Sequence, residues 1–438
     1  MSTDLLSKGR ATYNKELESW ISKKKAAVEL INAVGNLLYD NSVELVLFRN
    51  HLVDTSVSEV LLLHKYAEDV VGRPISIFDT TKVAKALVKM DLAPSKIDVG
   101  LLTAEWTKSN GSFNDVESFL NSKLGEFVGT EEVPTVEPRD VVLFGFGRIG
   151  RLAARELIQQ FGRGQQLRLK AIVTRKVTDE EIRKRADLLR LDSVHGPFPG
   201  TVVADVENKA IVINGQIIKM IEASSPDSVN YEEYGISDAV LIDNTGAFRD
   251  REALSLHLKS NGISKVILTA PGKEVPNIVY GINHKDLDIE NENVYSAASC
   301  TTNAISTVLQ VIQTEYGIEK GHIETVHAYT NDQNLLDNFH KKYRRGRSAA
   351  LNMVITETGA GKAVTKVIPE LKDKLTANAV RVPVPNGSLA IMNLTLDRET
   401  SIDEINAAVK KAALEGDLVN QIHYSIEPEL VSSDIVGD

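Results

Sequence analysis

The chain has 438 residues, 42% hydrophobic and 25% charged, which suits a soluble globular protein of two or three domains and excludes a disordered one. Fifty basic against 60 acidic residues leave a net charge of −10, with no general attraction to nucleic acid. A single cysteine, Cys300, excludes an internal disulfide, and no apolar run reaches the ~18 residues of a membrane span. The start, Met1-Ser2-Thr3-Asp4, lacks the basic and apolar blocks of a secretory signal, so a cytoplasmic protein is expected.

Residues 1–124 read as an all-helical N-terminal accessory region. "SKKKAAVELINAVGNLLYD" and "SVSEVLLLHKYAEDVVG" carry apolar residues at helical spacing. A third helix is expected in "DTTKVAKALVKMDLAP", with Asp79, Thr80 and Thr81 as N-cap types and Pro94 as the stop. Neither a glycine-rich turn nor a metal-ligand spacing occurs here, and no metal site is expected. Residues 125–139, with two prolines and four glutamates, read as a linker.

From 140 onward, apolar runs at Val141–Phe144, Leu167–Val173, Val240–Ile242 and Val266–Leu268 alternate with helical ones. Such alternation predicts a parallel sheet with crossover helices, hence an α/β fold with a Rossmann-type dinucleotide-binding domain at 140–299. "HIETVHAY" and "LAIMNLTL" predict strands of a second sheet, in an α+β catalytic domain at 300–438.

"DVVLFGFGRIGRLAARELIQQF" reads as strand, glycine turn and helix. Gly145 permits the tight turn, Gly147 lets the backbone approach a pyrophosphate, and Gly150 allows helix to pack closely on strand. Arg148 and Ile149 lie at the helix start, where free N–H groups and the helix dipole favour phosphate. The next strand ends in Thr174-Arg175-Lys176 rather than the carboxylate expected for an unphosphorylated ribose. A hydroxyl beside two cations can accept a 2′-phosphate, so the cofactor is read as NAD or NADP.

In "SAASCTTNAISTVLQ", Cys300 precedes an apolar-periodic run, which places its sulfur at a helix N-terminus. A helix N-terminus and a nearby imidazole both favour the reactive thiolate. His327 in "ETVHAYTNDQ" is the candidate base, although spacing alone does not establish contact.

Together, "GFGRIGR", "DSVHGPF", "SAASCTTNA", "TVHAYTNDQ", "RRGRSAALNMVITETGAGKA" and "RVPVPNGS" resemble the glyceraldehyde-3-phosphate dehydrogenase family, in that family's order, from about 140 onward. The first 139 residues resemble the extra helical region of a long bacterial form. The resemblance implies phosphorylating oxidation of an aldehyde through a hemithioacetal and a thioester on Cys300, with His327 as general base. It places Ser299, Thr301, Thr330, Arg345, Thr358, Gly359 and Arg381 around the substrate phosphate and inorganic phosphate, and Thr269 of "LTAPGK" beside the nicotinamide. It also implies a homo-oligomer acting on small molecules, with neither membrane nor nucleic-acid partner. Erythrose-4-phosphate dehydrogenase activity, and a regulatory or interaction protein on the same scaffold, are the alternatives.

Three departures from the pattern stand out. The ribose-binding Asp is replaced, as above. Gly387 occupies a position where the family favours a β-branched residue. The family also continues past "LVSSDIVGD" with a segment that reaches the nicotinamide carboxamide and a final helix. The polypeptide ending at Asp438 is therefore expected to bind cofactor weakly and turn over poorly.

Overall fold

The computed structural model describes residues 2–109, 111–129, 138–159, 166–356 and 359–437. The chain divides into two compact units, Met1–Pro138 with Phe161–Gln166, and Arg139–Gln160 with Leu167–Asp438. Much of the expected 125–139 linker, residues 130–137, lies outside the described residues.

In the first unit, the helix Ser2–Asn41 buries Ala26, Ala27, Leu30, Ala33, Val34 and Leu37, a stripe at steps of one and three. Helices Val57–Asp69, Ile77–Leu87, Val99–Lys108 and Val116–Leu124 complete the core around Phe119, Leu120 and Val60. Ser56 and Glu59 form a reciprocal capping box on the first of these.

Two expectations for this unit need correction. It is not all-helical: Asn50–His51, Val43–Leu47 and Ser95–Asp98 form a three-stranded sheet in that order, the latter two strands pairing in parallel. Val43–Leu47 is only five residues long and almost wholly buried, so it lacks the alternation that marks a strand in sequence. The third helix begins earlier than expected, capped by Ser76. Thr81 is instead buried in its interior, its hydroxyl donating to the Ala26 and Ile77 carbonyls.

The second unit is built on an eight-stranded sheet. Its parallel part runs Gln216–Glu222, Leu167–Thr174, Arg139–Phe144, Ala239–Asp243, Ile263–Leu268, Val294–Ser296. This is the order 3-2-1-4-5-6 of a dinucleotide-binding fold, with a short antiparallel pair added at one edge. Along the first strand, Val142 and Phe144 join one apolar cluster while Val141 and Leu143 join another, so both faces of the sheet are covered. That burial explains why the strands read as unbroken apolar runs.

A mixed four-stranded sheet follows, ordered Val354–Thr356, Leu375–Val382, Ile318–Ala328, Ser388–Leu396. The helix Cys300–Tyr316 packs Ile305, Leu309, Ile312 and Tyr316 against Ile318 and Ile323 of the third strand in that order. Helix and sheet are thereby locked together, with the first residue of the helix free at its end.

Candidate active site

The glycine turn lies at the switch point of the large sheet, where neighbouring strands lead to opposite sides. Gly145 has φ +94°, and an added Cβ would lie 2.9 Å from Thr245 Cγ2. At Gly150 an added Cβ would come within 2.4 Å of the Gly145 carbonyl oxygen, so the helix can approach the strand only without a side chain. Gly147 differs: a Cβ there meets no atom within 4 Å. Space of this kind beside a helix N-terminus fits a pyrophosphate. Ile149 is exposed, and Arg148 donates to the Pro385 carbonyl at 3.4 Å. Thr269 follows the fifth parallel strand, and both its N–H and its hydroxyl donate to the Asp243 carbonyl at 3.1 Å.

Sequence reading overlooked two features of this cleft. Asn244 and Thr245 form the facing loop, and the buried Asn244 Oδ1 has no protein donor. Glu222 ends the third strand in register with Thr174, and its Oε2 accepts the Val177 N–H at 3.0 Å. A carboxylate therefore stands beside the position where the second strand lacks one. The buried Thr174 spends its hydroxyl proton on the Lys176 carbonyl at 2.9 Å, while Arg175 and Lys176 are exposed.

Cys300 is exposed as the first residue of its helix. Ser299 caps that helix, accepting the Thr302 N–H at 3.0 Å, so its hydroxyl serves the fold locally. Thr301 lies between thiol and imidazole: its Oγ1 is 4.0 Å from Cys300 Sγ and 3.4 Å from His327 Nε2. His327 Nδ1 lies 2.9 Å from Ser388 Oγ. Strand register explains the meeting, since Arg381, His327 and Ser388 stand side by side on three adjacent strands. Burial, followed by the positive charge of Arg381, holds His327 below the ordinary histidine value. The imidazole is thus kept neutral and able to take a proton.

Beside it lies a cationic cluster. Arg381 donates to the Ala328 carbonyl at 2.8 Å, and Arg345 donates to Thr356 Oγ1 at 3.2 Å and to Asp332. Thr330 also donates to Asp332. Burial works against the Asp332 carboxylate, but these two hydrogen bonds, with the positive charge of Arg345 and a backbone hydrogen bond, outweigh it and hold the group below its usual value. Burial and then the like charge of Arg345 pull Arg381 below the usual guanidinium range, with Cys300 and Asp332 acting oppositely. The Nε atoms of Arg345 and Arg381 and the Gln333 amide nitrogen are buried without a protein acceptor. Orphaned donors of this kind fit an anion. Gly359 is exposed just before the helix Ala360–Val367, and Thr358 lies outside the described residues. Ser388, Asp332 and Gln333 were not anticipated, although Ser388 closes the motif "RVPVPNGS". Gly387, next to it, has φ +83°, which accounts for glycine where a β-branched residue would be strained.

A dinucleotide cleft at the switch point, and a thiol beside a neutral imidazole and paired arginines, define a nicotinamide-dependent oxidoreductase. The family described as "Glyceraldehyde 3-phosphate dehydrogenase, NAD binding domain" matches residues 139–251, and "Glyceraldehyde 3-phosphate dehydrogenase, C-terminal domain" matches 299–438. The chain belongs to the glyceraldehyde-3-phosphate dehydrogenase family, and its cofactor is NAD or NADP. It is 47% identical over 411 residues to a glyceraldehyde-3-phosphate dehydrogenase-like protein of Pseudomonas aeruginosa, covering 93% of this chain and 89% of that one. A glyceraldehyde-3-phosphate dehydrogenase of Clostridium pasteurianum is 41% identical over 300 residues, 68% of this chain and 84% of the relative. That of Zymomonas mobilis is likewise 41% identical, over 301 residues, 68% of this chain and 85% of its own. Among the described residues no helix is long and apolar enough to cross a membrane.

Proposed function

We propose that this chain oxidises D-glyceraldehyde 3-phosphate to 1,3-bisphosphoglycerate, with NAD preferred over NADP and inorganic phosphate as co-substrate. The carrying observation is that one helix N-terminus brings an exposed thiol beside a neutral imidazole and two arginines with orphaned Nε donors. Cys300 Sγ adds to the aldehyde carbon, and its proton ends on the former carbonyl oxygen, giving a hemithioacetal. The nicotinamide, when bound, supplies a two-electron acceptor for hydride. His327 Nε2 takes the hydroxyl proton as oxidation leaves a thioester on Cys300. A phosphate oxygen then attacks the thioester carbon, and the Cys300 sulfur leaves. Arg345, Arg381, Thr330 and the Thr301 hydroxyl hold the two phosphate groups. The Cys300 backbone N–H faces the oxyanion.

Preference for NAD rests on Glu222. Its carboxylate accepts from a ribose hydroxyl but repels a 2′-phosphate. A homo-oligomer is supported by the outer face of the four-stranded sheet and its adjoining loop, where Leu351, Met353, Ile355, Leu389 and Ile391 are all exposed.

Steady-state assays with glyceraldehyde 3-phosphate and erythrose 4-phosphate, with and without inorganic phosphate, test this reading. Strict phosphate dependence and a higher kcat/KM for the three-carbon aldehyde are expected. A preference for the four-carbon sugar favours the first alternative. An enzyme whose Cys300 resists stoichiometric alkylation by iodoacetate, with no turnover of either aldehyde, favours a regulatory or interaction role.

A further inference from the structure

From Thr12 to Lys25 every residue of the long N-terminal helix is exposed. Within this stretch and just beyond it lie Tyr13, Leu17, Trp20, Ile21 and Val28, which are 68, 43, 45, 43 and 56% exposed. At about 100° per residue they fall on one stripe, together with Lys24, whose ammonium lies 5.8 Å from the Trp20 ring centroid. The stripe differs from the face that Ala27, Leu30 and Val34 bury in the unit's own core. Four exposed helical turns bearing a tryptophan have little reason to persist in water without a partner.

The spacing of the stripe suits a second copy of the same helix. Positions 13, 17, 20, 21, 24 and 28 are separated by steps of four, three, one, three and four, a palindrome about the Trp20–Ile21 bond. A two-fold contact requires the same surface on both copies, and in an antiparallel pair this mirror order sets position 13 against 28, 17 against 24 and 20 against 21. The charges agree. Glu16 and Lys23 lie on one flank of the stripe, Glu18 and Lys25 on the other, the acid in the N-terminal half each time. Antiparallel pairing sets Glu16 against Lys23 of the partner subunit and Glu18 against Lys25 of the partner subunit. Parallel pairing would instead bring glutamate to glutamate and lysine to lysine, which is disfavoured.

We infer that a second copy of this chain docks on the N-terminal helix, antiparallel, with Trp20 and Ile21 at the two-fold axis. The inference is independent of the catalytic reading, because its test requires no turnover. Cys300 is the sole native thiol, so Cys300→Ser gives a background in which one introduced cysteine reports one position. Mild oxidation of full-length protein carrying Ile21→Cys should give disulfide-linked dimers several-fold above Lys15→Cys, which lies on the far side of the helix. A mixture of Leu17→Cys and Lys24→Cys proteins should cross-link in preference to either alone. Adding Glu16→Lys and Glu18→Lys to the Ile21→Cys protein should suppress its dimer. Mixing that protein with an Ile21→Cys partner carrying Lys23→Glu and Lys25→Glu should restore it. Equal cross-linking at 15 and 21, or suppression that the complementary partner fails to reverse, would overturn the inference. Either result would assign the stripe to a different occupant.

Discussion

His327 is held by neighbours that set both its charge and its direction. Burial and Arg381 depress its proton affinity, and Ser388 engages Nδ1, leaving Nε2 toward Thr301, the neighbour of Cys300. Because the shift is downward, the neutral, base-competent form persists below the ordinary histidine pKa of about 6.5 and is lost only as pH falls through the depressed value. The acid limb of the kcat/KM profile should therefore lie below that of a free imidazole; a limb at or above it would contradict the assignment. His327→Asn should lower kcat by about 10²- to 10⁴-fold, the usual contribution of a general base. The proposed cofactor preference is tested at the same scale. Glu222→Gln removes one negative charge opposite Thr174, beside the proposed ribose position, and an exposed unit-charge interaction is worth about 1 kcal/mol at contact distance in water. The ratio of kcat/KM for NADP to that for NAD should rise by about fivefold or more in parallel assays. An unchanged ratio would remove Glu222 from selectivity.

The glycine turn separates two demands that the sequence presents as one motif. At Gly150 the backbone itself excludes a side chain, whereas at Gly147 nothing in the protein does. Gly150→Ala should therefore unfold at lower temperature, with a loss of about 1–3 kcal/mol typical of overpacking. Gly147→Ala should melt normally yet bind NAD weakly by titration calorimetry, since its methyl would meet no protein atom and enter only the space proposed for pyrophosphate. Equal melting losses in both variants would mean that Gly147 is structural. The turn was legible because its requirements are local: three glycines, an apolar strand before and an amphipathic helix after. Cys300 was legible for the same reason. Ser388 and Glu222 were not, because strand register brings them beside residues distant in the chain, and Asp332, though inside "TVHAYTNDQ", meets Arg345 only through loop closure. No local pattern announces that His327 will lie beside Ser388 across a strand pair.

At the scale of the whole molecule, the second unit was readable as alternating strands and helices, while the first was readable only as helices. Its three strands are short, and the pairing of Val43–Leu47 with Ser95–Asp98 spans a gap that carries two helices. What the sequence could not convey is that this unit closes a core of its own. The described residues of the cluster from Ala26 to Leu120, with Leu124 and Val128 against it, lie in the first unit. Those of the clusters around the dinucleotide sheet and the catalytic helix lie in the second. Chains with separate cores need not melt as one cooperative block. Calorimetry of the full chain should resolve two transitions. The NAD-binding family model matches residues of the second unit, so a ligand held there at 100 times its Kd is expected to add about 2.7 kcal/mol to that unit. One transition should move upward with NAD concentration while the other stays fixed, and phosphate should act on the same one. A single transition that moves as a whole would show that the two cores unfold together, and would give the N-terminal region a direct part in the stability of the nucleotide site.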